Sequence, residues 1–146
     1  MILKGLKQKS TKKYIETILN SRQVVAKNNT IESLGVIVNI DEFNDFQAFS
    51  RLAQELHVKP NKLKIISFTT QKKETLAIKE ACFNTQDIGW KGKLKTIELQ
   101  EFVASNFDAL ISYYTLDSLE LKLVTAASKA KFKIGVLQCD NRINDF

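Results

Sequence analysis

Most of the chain alternates between short, uniformly apolar runs and segments whose apolar residues recur at helical spacing. Residues 34–40 form the most apolar run and are rich in β-branched side chains, which is typical of a strand buried on both faces of a parallel sheet. Because this run lacks the charged residues that protect edge strands, we expect it at the centre of the sheet. Similar runs predict further strands at residues 63–69, 108–114 and 132–137. Residues 75–83 fit either a short helix or a strand, and the sequence favours a strand near residues 80–83.

Helices are predicted between these strands. Apolar residues at helical spacing indicate helices over residues 46–56, 97–106 and 119–127. Pro60 ends the first of them, and Asp117 or Ser118 caps the last. The alternation of strands and helices favours right-handed crossovers, so the sequence predicts a three-layer α/β fold, Rossmann-like, with about five mostly parallel strands. No helix is predicted after the last strand, which indicates a truncated C-terminus or a disordered tail.

The N-terminal segment predicts a basic amphipathic helix. Ser10 or Thr11 is the expected N-cap, and residues 1–9 are expected to form a frayed extension. The apolar positions that follow at helical spacing are Tyr14, Ile15, Ile18 and Leu19, and the helix is predicted to continue through Arg22 and Val25. Lysines on its opposite side leave one face for solvent or a partner.

The whole net charge of the chain, +6, lies in residues 1–27. Residues 1–27 carry seven basic side chains and one acidic one, whereas residues 28–146 carry fifteen of each. The sequence therefore predicts a basic helical arm, residues 1–27, joined to a neutral α/β domain, residues 28–146. A neutral domain with a cationic arm indicates that the arm meets an anion. The candidate contact residues are Lys4, Lys7, Lys9, Lys12 and Lys13.

Three interpretations of the arm remain open. It contacts RNA or a ribonucleoprotein such as the ribosome; it lies on an anionic membrane surface, with Ile2, Leu3 and Leu6 in the headgroups; or its lysines are an ordinary solvated face.

The composition also bears on the cellular compartment of the protein. The chain has no apolar run long enough to span a membrane, and two cysteines make no disulfide framework. We therefore expect a cytoplasmic protein without a transmembrane segment.

The motifs of common nucleotide-binding enzymes are absent. The chain has neither G-x-x-x-x-G-K-[ST] nor G-x-G-x-x-G, and the connection after the first strand holds three carboxylates, Asp41, Glu42 and Asp45, and no glycine. These carboxylates stabilise the following helix through its dipole in one interpretation, and hold Mg²⁺ in another. Either way they occupy the place of a phosphate, so the usual dinucleotide-binding mode is not expected.

The sequence also offers few residues for nucleophilic catalysis or metal binding. The single histidine, His57, follows a predicted helix end, where it interacts favourably with the helix dipole. Cys82 lies in an apolar run and is expected to be a small core residue. One histidine with the distant Cys82 and Cys139 does not make a zinc set. We expect no metal and no cofactor.

Two regions of the sequence remain candidates for ligand binding. In open α/β sheets ligands lie at the carboxyl ends of the strands, which here points to a crevice near Asp41, Thr69, Thr70 and Tyr114. The stretch from Thr70 to Lys73 suits a phosphate, although an ordinary solvated turn has the same composition. The loop around Trp90, with Lys91 and Lys93, suits stacking on a base or anchoring of the loop on the body.

Several segments resemble a family of short, uncharacterised bacterial proteins with a Rossmann-like domain of unknown function. The resemblance is carried by residues 3–7, 41–46, 88–92, 97–102, 108–114 and 128–135. It implies the fold and no catalytic residues. A weaker fold-level likeness links residues 108–135 to heptosyltransferase-like glycosyltransferases.

The leading hypothesis is therefore a non-catalytic binding protein whose basic arm contacts RNA or a ribonucleoprotein. The alternatives are a glycosyltransferase-like or other ligand-binding α/β enzyme that uses the strand-end crevice, and a peripheral membrane-surface protein.

Overall fold

The computed structural model describes residues 2–21, 30–72, 81–136 and 143–146, with the side chains of residues 5–20 in the first range. Several predictions concern residues outside these ranges: the helix continuation at Arg22 and Val25, the start of the third strand at Glu80, the lysine at position 73, and Cys139. The side chains of Ile2, Leu3 and Lys4 are likewise outside the described part.

The described ranges contain five parallel strands, which form one sheet. They are β1 (Leu34–Asn39), β2 (Leu63–Phe68), β3 (Ala81–Phe83), β4 (Ala109–Tyr113) and β5 (Phe132–Gly135), and their order across the sheet is β3-β2-β1-β4-β5. Every residue of β1 is buried, and β1 pairs with a strand on either side. The predicted central position of residues 34–40 is confirmed, except that Ile40 lies just beyond the strand.

Within the described residues, four α-helices cover the two faces of this sheet. They are α1 (Ile2–Ser21), α2 (Phe46–Glu55), α3 (Ile97–Ala104) and α4 (Leu119–Ala127). On one face Ile37 and Leu110 of the sheet pack with Ile15 and Leu19 of α1, Leu99 of α3, and Leu121 and Val124 of α4. On the other, Val36 and Val38 pack with Phe49 and Ala53 of α2. The predicted three-layer α/β class is confirmed, and the sheet is parallel throughout.

The N-terminal helix differs from its prediction. The chain is already helical at Ile2, so Ser10 and Thr11 lie inside α1 and are not its N-cap. Their hydroxyl groups donate to the Lys7 carbonyl, at 2.8 Å from Ser10 and 3.0 Å from Thr11. This back-bonding satisfies a hydroxyl inside a helix, which is why a serine or threonine alone does not mark a helix start. Residues 5–9 are part of the helix and not a frayed extension.

The last described residues lie beside β5. Gly135 N–H donates to the Phe146 carbonyl at 2.8 Å, and Lys133 N–H donates to the Asp145 carboxylate at 2.7 Å. Ile143 is buried in the core of the α4 face. Residues 143–146 thus contribute to the packing at the place where the sequence predicted truncation or disorder.

Helix α2 ends in a Schellman motif centred on His57. Val58 N–H donates to the Ala53 carbonyl at 2.8 Å, and His57 N–H donates to that of Gln54 at 3.1 Å. His57 has φ of 60°, the left-handed conformation that this motif requires. His57 therefore ends the helix through its backbone, in addition to any dipole interaction.

Replacement of His57 by glycine is expected to raise the free energy of unfolding by about 1 kcal/mol, because the left-handed conformation strains any residue with a Cβ. Urea unfolding followed by circular dichroism measures this change. An equal gain for His57→Ala would contradict the explanation, because alanine keeps the Cβ.

Candidate functional site

The carboxylate of Glu42 fills the point where the strand order reverses, between β1 and β4. It accepts hydrogen bonds from the Thr115 and Leu116 N–H groups at 2.8 and 2.7 Å, and from the Thr115 hydroxyl at 3.0 Å. Asn39, buried at the end of β1, donates its side-chain amide to Glu42 at 3.0 Å. In nucleotide-binding sheets the ligand lies at this switch point, which here is bridged by a side chain of the protein.

Asp41 makes the matching connection on the other side of β1. It accepts from the Thr70 N–H at 2.9 Å, the Thr70 hydroxyl at 2.8 Å and the Thr69 hydroxyl at 2.9 Å. Asp41 and Glu42 therefore join the end of β1 to the loops after β2 and β4. This corrects the interpretation that they act chiefly on the dipole of α2: only Asp45 lies at that helix start, where it pairs with Arg51 at 3.4 Å and makes no side-chain capping bond.

The hydrogen bonds to these carboxylates favour their charged form. Partial burial raises the pKa of each, but the donors of Thr70 and Thr69 outweigh it at Asp41, and those of Thr115, Leu116 and Asn39 outweigh it at Glu42. The pKa of each folded-state carboxyl is therefore lowered below its ordinary value, 3.8 for aspartate and 4.5 for glutamate. At the other end of the sheet Asp108 behaves in the same way: burial raises its pKa, and bonds from Glu32, Lys131 and Ser33 lower it overall.

We expect the free energy of unfolding to decrease as the pH is lowered below about 4.5. A lowered folded-state pKa gives stability that is complete above the unfolded-state values and is lost as pH falls through the folded-state values. In Asp41→Asn/Glu42→Gln the protein should be less stable at pH 7, and its further loss between pH 5 and pH 3 should be smaller. Urea midpoints at these pH values test this, and equal losses in both proteins would show that the two groups do not titrate as described.

The loop around Trp90 is held against α1. Lys91 N–H donates to the Ser10 hydroxyl oxygen at 3.1 Å, and Gly92, with φ of 74°, lies so close to the Tyr14 ring that a Cβ would stand 2.5 Å from it. Ile88 anchors the loop, being 2% exposed, whereas the Trp90 side chain is 51% exposed. The anchoring role considered for Trp90 thus belongs mainly to Ile88, and half of the indole remains accessible.

The candidate lysines distribute over two sides of α1. Lys9 and Lys13 are exposed on the side opposite the buried Ile15 and Leu19. Lys12 is exposed at the border that faces α4, and Lys7 is half-buried beside Trp90. In the Trp90 loop, Lys91 and Lys93 are both exposed. The structure therefore packs the Trp90 loop, which is far from α1 in sequence, against this helix beside Lys7. Lys9, Lys12 and Lys13 lie on the other sides of the helix.

A cleft separates α1 from the carboxyl ends of the strands and the start of α4. It consists of two adjoining cavities of about 300 and 440 Å³. Thr70 lines the larger one, while Thr69 is fully buried. Tyr114, also predicted at the crevice, is 1% exposed, and its hydroxyl lies 2.7 Å from the Thr125 hydroxyl inside the core. Of the four crevice residues, only Thr70 and Asp41 reach the surface.

Sequence reasoning missed several residues that line this cleft: Gln8, Thr85, Ser118, Leu119, Glu120 and Lys122. The rule that ligands lie at the carboxyl ends of strands points to the loops that hold Thr85 and Ser118. It gives no indication that α1 lies across them, which depends on the packing of α1 against α4.

Two kinds of feature are absent from the part of the chain that the structure describes. No group of three or more His, Cys, Asp or Glu side chains is arranged to hold a metal ion there. Among the helices of that part, none combines the length and apolarity needed to cross a bilayer.

Comparison with known proteins identifies one family. Residues 7–146 match the family described as "Family of unknown function (DUF6913)". The chain belongs to this family. Its membership agrees with the resemblance to uncharacterised proteins found in the sequence, whereas nothing supports the likeness to heptosyltransferases. No curated protein and no solved structure matches the chain, so the DUF6913 assignment carries no catalytic residues or ligand to this site.

Proposed function

We propose that the protein is a non-catalytic binding protein that holds single-stranded RNA, free or in a ribonucleoprotein, on the surface formed by α1 and the Trp90 loop. The observation that carries the proposal is the contact between Lys91 and Ser10. It places a half-exposed tryptophan beside a helix that holds most of the chain's net positive charge. Proteins that bind single strands combine such a cationic track with an aromatic platform.

The charges on this surface suit a polyanion. Lys9, Lys12, Lys13, Lys91 and Lys93 are exposed, and Glu16 is the single acidic residue of the first 27. Lysines at several positions along the 20-residue helix can contact successive phosphates of an extended strand. A base can stack on the accessible face of Trp90.

The switch point supports binding over catalysis. Asp41 and Glu42 occupy the backbone N–H groups that follow β2 and β4. A phosphate would need such donors, so the site that enzymes of this fold most often use is already taken by carboxylates.

The variant Lys7→Gln/Lys9→Gln/Lys12→Gln/Lys13→Gln is expected to bind single-stranded RNA at least tenfold more weakly than the wild type at 0.1 M salt. Its plot of log K against log salt should also be shallower, by about 0.7 for each phosphate that the variant no longer neutralises. A matched control removes four exposed lysines elsewhere, Lys59, Lys62, Lys64 and Lys129, and should bind as the wild type. Fluorescence anisotropy of a labelled oligonucleotide measures both.

Anionic vesicles separate the RNA proposal from the membrane alternative. Salt weakens both kinds of binding, but only a membrane takes up apolar side chains. Leu6 is 48% exposed on α1, and the variant Ile2→Ser/Leu3→Ser/Leu6→Ser should leave RNA binding unchanged. Co-sedimentation of the wild type with vesicles and not with RNA, or equal RNA binding by the four-lysine variant, would overturn the proposal.

A further inference from the structure

The cleft beside α1 changes character along its length. The smaller cavity, about 300 Å³, is lined mainly by apolar groups around Ile88, Trp90 and Leu119. The larger one, about 440 Å³, is more polar and has two lysines, Lys12 and Lys122, and two carboxylates, Asp117 and Glu120, in its wall. Both volumes fall at the lower end of the range of about 300–1,000 Å³ that is usual for small-molecule sites. The cleft therefore suits a small ligand with one apolar and one anionic end.

The aromatic end suits a planar ring. Trp90 is half-exposed, and its neighbour Ile88 is buried and fixed by the antiparallel pairing of Ile88 with Leu94. Any purine or pyrimidine can stack on an indole, because every base has a π-face whatever its polar groups. This end therefore accepts a base, with Ile88 and Leu119 as apolar walls.

The cationic end suits one phosphate. The Lys12 ammonium group makes no hydrogen bond or ion pair with any residue of the described part of the chain. Lys122 pairs with Asp117 at 2.6 Å, but the Asp117 side chain is 72% exposed. An ion pair so open to solvent contributes little to stability. Asp117 lines the same cavity, but its exposed side chain can turn towards solvent when a phosphate pairs with Lys122.

A carboxylate lies at the junction. Glu120 and Gln8 line both cavities, and one oxygen of Glu120 accepts from the Ser118 hydroxyl at 2.9 Å. A carboxylate repels phosphate, but it is the group that binds ribose hydroxyls in nucleotide sites. Glu120 thus stands between the aromatic and cationic ends, at the place where a nucleotide has its sugar.

We propose that this cleft binds a nucleoside monophosphate, with its base against Trp90, its ribose at Glu120 and its phosphate between Lys12 and Lys122. The same chemical unit occurs free in solution and at the phosphorylated end of an RNA chain. The inference goes beyond the RNA-binding proposal, because a free nucleotide can occupy the cleft whether or not a strand follows α1.

The first experiment uses Trp90 as a reporter, since it is the only tryptophan of the chain. AMP should change its fluorescence saturably. Adenosine should bind at least tenfold more weakly because it lacks the phosphate, and inorganic phosphate should leave the fluorescence unchanged because it lacks the base. No saturable change with AMP, or equal affinity for AMP and adenosine, would overturn the inference.

The second experiment assigns the two ends by calorimetry. Lys12→Gln/Lys122→Gln should weaken AMP binding at least tenfold and leave adenosine binding unchanged, whereas Lys129→Gln, in the connection from α4 to β5, should change neither. Glu120→Gln should abolish the preference for AMP over 2′-deoxy-AMP. Unaltered AMP binding in the double lysine variant would contradict the phosphate position, and an unaltered preference in Glu120→Gln would contradict the ribose position.

A third comparison separates the two proposals and the two sources of nucleotide. Lys9→Gln/Lys13→Gln, outside the cleft lining, should weaken RNA and leave AMP unchanged. An RNA oligonucleotide with a 5′-phosphate should compete with AMP better than its unphosphorylated form if an RNA end is the occupant, and the two should compete equally if free nucleotide is. RNA binding without AMP binding rejects the cleft proposal alone, and AMP binding without RNA binding rejects the RNA proposal alone.

Discussion

Replacement of Lys133 by alanine is expected to lower the free energy of unfolding by about 4 kcal/mol. Lys133 lies on β5, is 1% exposed and points at the last turn of α4. Its ammonium group donates to the Thr125 carbonyl at 2.7 Å and to the Ala126 carbonyl at 3.2 Å. These carbonyls lie in the last turn of α4, where carbonyl groups have no donor within the helix. Lys133 supplies the missing donor from the sheet.

Two losses add up in Lys133→Ala. Removal of a long buried side chain leaves a cavity, which costs about 2–5 kcal/mol for chains of similar length. Each buried carbonyl left without a donor costs about 1–3 kcal/mol more, less any recovery through water. Such a change is a large part of the total stability of an ordinary domain, about 5–15 kcal/mol.

The variant Lys133→Met separates these terms. Methionine keeps the length and most of the volume of the stem, and it removes the cost of burying a charge. We expect a loss of about 1–2 kcal/mol, well below that of alanine. Denaturant unfolding followed by circular dichroism measures both variants, and a loss under 1 kcal/mol for Lys133→Ala would show that the side chain is not buried as described.

Lys133 also shows where prediction from this sequence reaches its limit. The apolar runs predict four of the five strands directly because burial on both faces demands uniform apolarity, whereas residues 75–83 fit a short helix as well as a strand. A lysine within a strand is normally solvent-exposed, and only the arrival of α4 above β5 gives Lys133 two buried acceptors. Contacts between residues close in sequence, such as the Ser118 cap of α4, are predictable in a way that such tertiary contacts are not.

The candidate site likewise combines features that the sequence predicts with contacts that only the tertiary structure creates. The lysines of α1 and the Trp90 loop are each visible in the sequence, one through charge and the other through composition. Their meeting depends on a close approach at Gly92 and on the bond between Lys91 and Ser10, which no pattern in either segment specifies. Likewise the place of Tyr114 at a strand end predicts it at the crevice, but it lies on the side that α4 covers, where its hydroxyl contacts Thr125.

Replacement of Gly35 by alanine is expected to cost about 3 kcal/mol, because a glycine in the central strand leaves room for a ring. A Cβ at Gly35 would stand 2.6 Å from the Phe107 Cδ2 atom and 2.7 Å from its Cε2 atom. Phe107 is 4% exposed, and its ring lies against that of Phe102 at 5.1 Å between centroids. The ring cannot retreat without moving the core, and overpacking of this kind costs about 1–3 kcal/mol, occasionally more.

The same substitution at Gly5 should have the opposite sign. Gly5 lies inside α1, and a Cβ there would meet no atom within 4 Å, so Gly5→Ala should stabilise the protein by up to about 1 kcal/mol through helix propensity. Because both changes add one methyl group, their difference in unfolding free energy isolates the contact with Phe107 from any general effect of losing a glycine. A second variant, Gly35→Ala/Phe107→Leu, should recover part of the loss by giving the new methyl group space. No recovery would mean that Gly35 is required for a reason other than the ring.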